Sequence, residues 1–331
     1  MLKYWRILLP KKIIVFAALF ILGAAICRAE DQLWKFAKIS DTQANTSQWG
    51  KAGADLSTVN VRICEEIAGA IAREKVDLVI VAGDLVNRQS VKRGDRTAYK
   101  IWQEAMSPIY QAGIPVYPLR GNHDAAGSVA LWKNAFGTNI PDNGPADETG
   151  LTYFVTNKNA LFIGLDVFNT NHPARINQEW LDKVLAKNKL PHVFVFAHEP
   201  AFKLLQSDCL GAHPEERNKF WDSMKRAGAR VYFSGHDHVF DHARIDDGDG
   251  NPDNDVHQLV GGPAGAMLDQ GGVYDGKNAP YLPKQISHDE TYGYIIGEIK
   301  GPEVKVVWKH RTDSNTYEQA ATWSYTVTNS F

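Results

Sequence analysis

Residues 76–87 read VDLVIVAGDLVN, a stretch that indicates the fold class. The segment from Val76 to Val81 is almost entirely apolar, which is typical of a strand buried on both faces in a parallel sheet covered by helices. Gly83 and Asp84 follow directly, so an acidic side chain stands at the carboxyl end of this strand. We therefore predict a buried parallel strand that ends in an acidic turn.

Helices and strands alternate outward from this stretch in both directions. Apolar residues recur every four positions over 59–71, which predicts a helix, and a second helical stripe covers 180–185. This alternation predicts an α/β fold. Further elements are predicted as a polar helix at 95–111 and strands at 35–40, 115–119, 160–167, 192–196 and 230–233.

The final third of the chain has a different pattern, in which strands dominate. They are predicted at 256–260, 292–299 and 304–310. The sequence contains no internal repeat and no Ser/Pro-rich linker. Residues 30–331 are therefore predicted to form one domain with a β-rich C-terminal part.

The composition is that of an ordinary globular protein. Of the 331 residues, 44% are hydrophobic and 22% are charged, which excludes extensive disorder and the collagen-like and coiled-coil classes. Lys and Arg number 36 and Asp and Glu number 38, giving a formal charge of −2. Because there is no basic excess, the composition does not indicate a nucleic-acid-binding protein.

Residues 1–29 have the pattern of a signal peptide. Basic residues come first, without any acidic residue, and the apolar run from Ile13 to Cys27 is shorter than the ~20 residues that span a bilayer as a helix. The small residues Cys27 and Ala29 predict cleavage before Glu30 and export to the periplasm or the exterior. An uncleaved N-terminal anchor is the alternative. No later segment is predicted to span a membrane.

Two cysteines, Cys64 and Cys209, remain after this cleavage. Two cysteines do not form a disulfide framework, although an exported protein could pair them. Because Cys64 is predicted to lie in a buried helix and Cys209 in a loop, we favour two unpaired thiols.

Polar motifs with metal-ligand side chains follow five predicted strands in order. They read SDTQ at 40–43, GDLVN at 83–87, GNHD at 121–124, AHE at 197–199 and GHDH at 235–238. Each motif alone is explained by a turn or by a hydrogen-bonded core histidine. Ligands of α/β sheets bind beyond the carboxyl ends of the strands, so we expect the five motifs to converge on one pocket.

This ordered set resembles the calcineurin-like metallophosphoesterase superfamily, whose pattern is D-x-H, G-D, G-N-H-D/E, a lone His and G-H-x-H. The resemblance extends from Asp41 to His238 and covers most of the chain after the leader. It implies a four-layer α/β/β/α sandwich, in which two mixed sheets pack together and helices cover both outer faces. It also implies an active site with two metal ions.

The resemblance assigns roles by motif position. Asp84 would bridge both metals, and His123 would be the catalytic residue that faces the leaving group without binding a metal. Nitrogen and amide ligands with few carboxylates suit Mn, Fe or Zn better than Mg. Two such ions about 3.5–4 Å apart hold the phosphoryl oxygens and supply a hydroxide that attacks phosphorus. The remaining ligands would be Asp41, Gln43 and His238 at the first metal, and Asn122, His198 and His236 at the second.

The chain departs from the family pattern at three points. Gln43 replaces the usual His, so the first metal would have a weaker, neutral amide donor. Asn87 stands where some members have an Asp behind the catalytic histidine, and an amide orients an imidazole without stabilising its charge. The second motif also lacks the Tyr ligand of purple acid phosphatases, which disfavours a purple iron–tyrosinate enzyme.

Two loops resemble ligand loops without matching them. Residues 246–255 read DDGDGNPDND, but an EF-hand counted from Asp247 requires glycine where Pro252 stands, which favours a solvated turn. Residues 261–266 read GGPAGA and lack the Lys and Ser/Thr of a phosphate loop. We expect this segment to let the backbone pass close to the metal pocket.

The function expected from the resemblance is that of an exported dinuclear metal-dependent phosphoesterase. A phosphate ester would be the substrate, and a phosphomonoester is favoured. The alternatives are a phosphodiesterase of the same superfamily and a non-catalytic binding protein on the same scaffold.

Overall fold

The computed structural model describes residues 32–44, 58–169, 173–276 and 279–327. The predicted leader at 1–29 lies outside these residues. Within them, every helix is too short or too polar to cross a bilayer.

The first sheet has six strands in the described part of the chain, in the order β13–β12–β11–β1–β2–β3. Strands β1, β2 and β3 run parallel, and the other neighbours are antiparallel. The strands are β1 (Trp34–Ile39), β2 (Leu78–Val81), β3 (Val116–Pro118), β11 (Gly293–Lys300), β12 (Glu303–Arg311) and β13 (Tyr317–Thr326).

The second sheet has seven described strands, in the order β10–β8–β9–β7–β6–β5–β4. Its central strands β5, β6, β7 and β9 are parallel, so both sheets are mixed. The strands are β4 (Tyr153–Asn157), β5 (Ala160–Gly164), β6 (His192–Phe196), β7 (Val231–Ser234), β8 (Phe240–Asp246), β9 (Val256–Val260) and β10 (Leu282–Asp289).

Helices connect the parallel strands. Half of the eight described α-helices begin at a side chain that accepts a backbone N–H, as Asn60 does at the first helix and Asn177 at the seventh. The helices are α1 (Val61–Glu74), α2 (Arg88–Lys92), α3 (Ala98–Ala105), α4 (Ser107–Gln111), α5 (Asn122–Ala125), α6 (Val129–Phe136), α7 (Gln178–Lys187) and α8 (Pro214–Arg226).

The two sheets pack face to face through aromatic side chains. The ring of Phe36 on β1 lies 5.0 Å from that of Phe162 on β5 and 4.8 Å from that of Phe194 on β6, measured between centroids. On the outer side of the second sheet, Leu181 of α7 and Trp221 of α8 share a separate apolar cluster. Helix α1 contributes to the core on the side of the first sheet. The predicted α/β fold with two mixed sheets and outer helices is confirmed.

The predicted elements differ from the structure mainly where the pattern is polar. The helix predicted at 95–111 is two helices, α3 and α4, because Pro108 has no N–H to continue the first one. Helices α2, α5, α6 and α8 and strands β4, β8, β10 and β13 were not predicted. Cys64 and Cys209 are both buried and free, which confirms the prediction of unpaired thiols.

A buried histidine pair connects the second sheet to β13 of the first. His242 Nε2 lies 2.7 Å from His257 Nδ1, and the His257 ring stacks on Trp323 with centroids 3.8 Å apart. Burial lowers the pKa of His242 to about 4. Burial also lowers the pKa of His257, together with His242 and the charges of Arg230 and Arg244.

This pair predicts a loss of stability in acid. Both folded pKa values lie below the ordinary 6.5, so the unfolded chain binds more protons below that pH. The stabilisation is complete above about pH 6.5 and is lost as pH falls toward 4, with a slope of up to about 1.4 kcal/mol per pH unit for each group. Denaturant unfolding between pH 4.5 and 8 should show a shallower pH dependence in His257→Gln than in the wild type. The control His213→Gln should match the wild type, and equal slopes in all three proteins would contradict the prediction.

Candidate metal centre

Residues from both sheets meet beyond the carboxyl ends of the parallel strands. Asp41 follows β1 and Asp84 follows β2 in the first sheet, while His198 follows β6 in the second. All three are buried, and each offers a ligand atom within 4.8 Å of the other two. The convergence expected from the strand-end motifs is therefore present in the structure.

Three of the predicted site residues have left-handed backbone conformations. Asp41 and Asp84 each have a φ of 56°, and His236 has a φ of 74°. Such conformations cost non-glycine residues about 1–3 kcal/mol each and persist only where the surroundings hold them. Here the turns hold one another, since the Asp41 N–H donates to Gly83 O at 3.0 Å and the Gly235 N–H to His198 O at 2.9 Å.

Two glycines allow this close approach. A Cβ atom added to Gly121 would lie 2.0 Å from Asp84 Oδ1, and one added to Gly235 would lie 2.5 Å from Asp41 Oδ2. Any larger residue at either position would displace a candidate ligand. The segment 261–266 also passes close by, as expected, because the Ala266 N–H donates to Asp41 O at 2.8 Å.

The orientation of two histidines is fixed by backbone carbonyls. His198 Nδ1 lies 2.8 Å from Ala82 O, and His238 Nδ1 lies 2.8 Å from Met267 O. Because a carbonyl only accepts hydrogen bonds, each Nδ1 carries a proton and each neutral ring keeps its lone pair on Nε2. This is the arrangement that orients histidines for binding a metal.

Acceptor atoms face one another at the centre of the site. Asn122 Oδ1 lies 3.1 Å from Asp84 Oδ2 and 3.1 Å from His198 Nε2. His236 Nδ1 lies 3.2 Å from the same His198 nitrogen. Oxygen and nitrogen acceptors that converge in this way fit a bound cation, which attracts all of them.

The charges at this site also favour a cation. Burial alone would raise the pKa of Asp84, but the neighbouring imidazoles of His198 and His123 hold it well below its ordinary value. Burial opposes the charge on His198, yet the carboxylates of Asp84 and Asp41 raise its pKa to about 10. Two carboxylates buried together therefore require positive charge, and a metal that binds here would displace the His198 proton.

Gln43 lies at the predicted first-metal position. Its Nε2 donates to Asp84 Oδ2 at 3.1 Å and lies 3.4 Å from His238 Nε2. Its Oε1 is buried and has no hydrogen-bond partner among the described residues. Rotation of the amide by half a turn would exchange the two atoms. The unpaired oxygen would then point toward Asp84 and His238, where it could bind a cation.

Variants of Gln43 test this placement. We expect Gln43→Leu to bind the first metal at least about 10-fold more weakly, because one donor is lost. Gln43→His should bind the metal as tightly as the wild type or more tightly, since imidazole is the stronger donor. Chelator competition with zinc measures both, and unchanged affinity in the Leu variant would place Gln43 outside the ligand set.

The sequence suggested that Asn87 orients His123. The structure shows no hydrogen bond between these two side chains. The Asn87 side chain caps α2 by accepting the Gln89 N–H at 2.8 Å, and its Nδ2 donates to Ala44 O at 3.2 Å. His123 Nδ1 has no hydrogen-bond partner in the described part of the chain. Both ends of the Asn87 amide are thus bonded to backbone, and its role in orienting His123 stays a prediction.

Several residues that shape the site were not identified from the sequence. Asp124 accepts the N–H groups of Gly121 and Leu85 at 2.9 and 3.1 Å and so fixes the turn that carries Asn122 and His123. Burial and the Asp84 charge raise the pKa of Asp124 to about 7.

Two buried cations join the sheets beside the site. Arg120 forms two hydrogen bonds with Asp166, at 2.7 and 3.0 Å. Lys38 is fully buried, and its ammonium donates to Ser234 O at 2.6 Å and to Gly261 O. Both contacts connect a strand of the first sheet with a strand end or loop of the second.

A second acidic cluster lies in the loop predicted at 246–255. Asp246, Asp247 and Asp255 also bring ligand atoms within 4.8 Å of one another. However, Lys284 pairs with Asp246, Lys225 with Asp247 and Arg244 with Asp255. Protein cations already balance these carboxylates, in keeping with the predicted solvated turn.

Comparisons with solved structures support the same fold. The purple acid phosphatase PPD1 from yellow lupin (Lupinus luteus) seeds aligns with a TM-score of 0.66 at 14% identity, covering 90% of this chain and 54% of that chain. This chain therefore spans about half the length of the lupin enzyme. A dimetal phosphatase from Danio rerio aligns with a TM-score of 0.55 at 13% identity, covering 89% of this chain and 99% of that chain.

A further similar structure has a different description. GAP50, described as the anchor in the inner membrane complex of Plasmodium, aligns with a TM-score of 0.59 at 15% identity and covers 90% of both chains. No curated protein sequence matches the chain. The family profile of the calcineurin-like phosphoesterases matches residues 35–240, the span that contains every candidate ligand. This protein therefore belongs to the calcineurin-like phosphoesterase family.

Proposed function

We propose that residues 30–331 form one exported, dinuclear metal-dependent phosphoesterase that acts on phosphomonoesters. The observation that carries the proposal is the meeting of Asp41, Asp84 and His198 within 4.8 Å, with acceptor atoms directed inward. Family membership supports metal-dependent hydrolysis of phosphate esters. The monoester preference and the export are proposed from the sequence alone.

The residues present suit two transition-metal ions such as Mn, Fe or Zn. Asp84 has a carboxylate central enough to serve both ions, and the other donors are mostly neutral nitrogens and amide oxygens. When bound, two such ions neutralise charge on the phosphoryl oxygens and activate a water near neutral pH. Asp41, Gln43 and His238 would hold the first ion together with Asp84, and Asn122, His198 and His236 would hold the second.

His123 would act on the substrate rather than on a metal. Its backbone N–H donates to Asp84 Oδ1 at 2.8 Å, whereas its Nε2 lies 3.9 Å from Asp84 Oδ2. The ring therefore lies at the edge of the site and is free to donate a proton to a departing oxygen.

The GAP50 similarity supports the alternative of a non-catalytic protein on this scaffold, since that structure is described as an anchor. One assay separates the possibilities. Metal content and phosphate release should be measured with p-nitrophenyl phosphate and with bis-p-nitrophenyl phosphate, after loading with Mn, Fe or Zn. Preference for the monoester supports the proposal, preference for the diester supports a phosphodiesterase, and full metal loading without turnover supports the binding protein.

A further inference from the structure

His236 differs from His198 and His238, the other two candidate ligand histidines, in the group next to the ring nitrogen that points away from the proposed metal site. His198 and His238 are oriented by backbone carbonyls. His236 Nε2 instead lies 3.1 Å from Oδ1 of Asp208. No described residue forms a well-aligned hydrogen bond with this nitrogen, so the contact with Asp208 is one of distance and charge, and Nδ1 on the opposite side of the ring faces His198.

The loop that carries Asp208 is fixed at both ends. Gln258 Oε1 accepts the N–H groups of Ala201 and Phe202 at 2.8 and 2.9 Å. At the far end, the Leu210 N–H donates to Pro200 O at 3.0 Å. Because these bonds do not involve the Asp208 side chain, its position beside His236 follows from the loop as a whole.

The middle of the loop is connected to the metal-site motif itself. The Asp237 carboxylate, which directly follows His236, accepts the N–H groups of Leu205 and Gln206 at 3.2 and 3.0 Å. The loop and the GHDH turn are thus held in one arrangement. The Asp208 side chain is 62% exposed, so packing does not require a carboxylate at this position.

We propose that Asp208 is a positioning residue for the second metal, acting through His236. The negative charge of its carboxylate beside Nε2 favours a proton on that nitrogen, which leaves the Nδ1 lone pair directed toward His198. It also raises the basicity of the ring, as carboxylates do when they accept from metal-bound histidines. This inference rests on the proposed function only for the presence of the metal.

Metal affinity is the first test. Zinc should be titrated against a competing chelator into the full chain, in the wild type, Asp208→Ala, Asp208→Asn and the control Ser207→Ala in the same exposed loop. We expect Asp208→Ala to weaken one of two zinc equivalents by about 10–100-fold, with Asp208→Asn intermediate because its amide oxygen still accepts. Thermal unfolding should be unchanged, since the side chain is largely exposed. Affinities in Asp208→Ala equal to those in Ser207→Ala would overturn the proposal.

The protonation of His236 is the second test and needs no activity. Long-range ¹H–¹⁵N spectra identify the protonated ring nitrogen, and the signals that disappear in His236→Gln assign this residue. We expect the proton on Nε2 in the wild type, and a mixture of tautomers or faster exchange with water in Asp208→Ala. If the chain bound no metal, the proposed function would fail, whereas these spectra would still decide whether Asp208 positions His236. Identical His236 spectra in both proteins would reject the pairing.

Discussion

Replacement of Asp84 by alanine is expected to remove both metals at once. Asp84 is the candidate ligand whose carboxylate contacts groups of both proposed metal sites. At the first site, Gln43 Nε2 lies 3.1 Å from Asp84 Oδ2. At the second site, Asn122 Oδ1 lies 3.1 Å from the same oxygen. Among the described carboxylates, Asp84 is the one within 3.1 Å of side chains of both proposed sites, so its loss should affect both metals.

The measurement is metal content together with catalysis. Elemental analysis should give about two metals per wild-type chain and fewer than one in Asp84→Ala. The value of kcat/KM should fall by at least about 10³, because loss of a single preorganised charge-stabilising group already costs about 10²–10³. Asp255→Ala, which removes a buried carboxylate from the distant acidic loop, is the control and should keep both metals. Two metals and full activity in Asp84→Ala would reject the bridging role.

The sequence predicted the strand ends at which the candidate ligands lie, because those positions are set locally. A buried strand followed by glycine and a polar residue ends in a turn at the edge of the sheet, and parallel strands present these turns side by side. Asp84 and His236 both have this context, and both have the strained left-handed backbone that such turns produce. The left-handed conformation itself was not predicted, although Asp and His are, with Asn, the non-glycine residues enriched in it.

The residues that orient the ligands could not be predicted in the same way. Met267 and Asp208 reach their histidines from loops that have no turn or helix signature pointing to the site. The Arg120–Asp166 pair joins ends of strands in different sheets, and only the packing of the sheets brings them together. Asn87 has a local role that its motif position did not suggest, since its side chain caps a helix.

Missed elements have a related cause. Helix α8 reads PEERNKFWDSMKR and buries only a narrow stripe, so its polar residues mask the helical period. Strand β13 alternates correctly, but Trp323 and Tyr325 are partly buried within otherwise small and polar residues. No role was predicted for Lys38, which lies in strand β1. Its burial follows from carbonyl oxygens in the second sheet, which no local pattern reveals.

His123 gives the second large prediction, because its ring is placed for contact with substrate. The side chain is 19% exposed, and its Nδ1 has no hydrogen-bond partner among the described residues. The backbone N–H of His123 donates to Asp84, which holds this residue beside the proposed metal centre. In phosphoryl transfer the departing oxygen gains negative charge, and a proton donor at this position would neutralise it.

The size of the effect should depend on the leaving group. An alkoxide is a poor leaving group that needs protonation as it departs, so His123→Ala should lose about 10²–10⁴ in kcat/KM toward alkyl phosphates. Nitrophenolate leaves without a proton, so the loss toward p-nitrophenyl phosphate should be smaller when chemistry limits both rates. Metal content should stay at the wild-type value, and His213→Ala, which removes an imidazole away from the site, should change neither rate. If both substrates lost activity by the same factor, His123 would act through charge or structure and would not be the proton donor. The contrast between leaving groups therefore separates a catalytic histidine from one that only supports the turn.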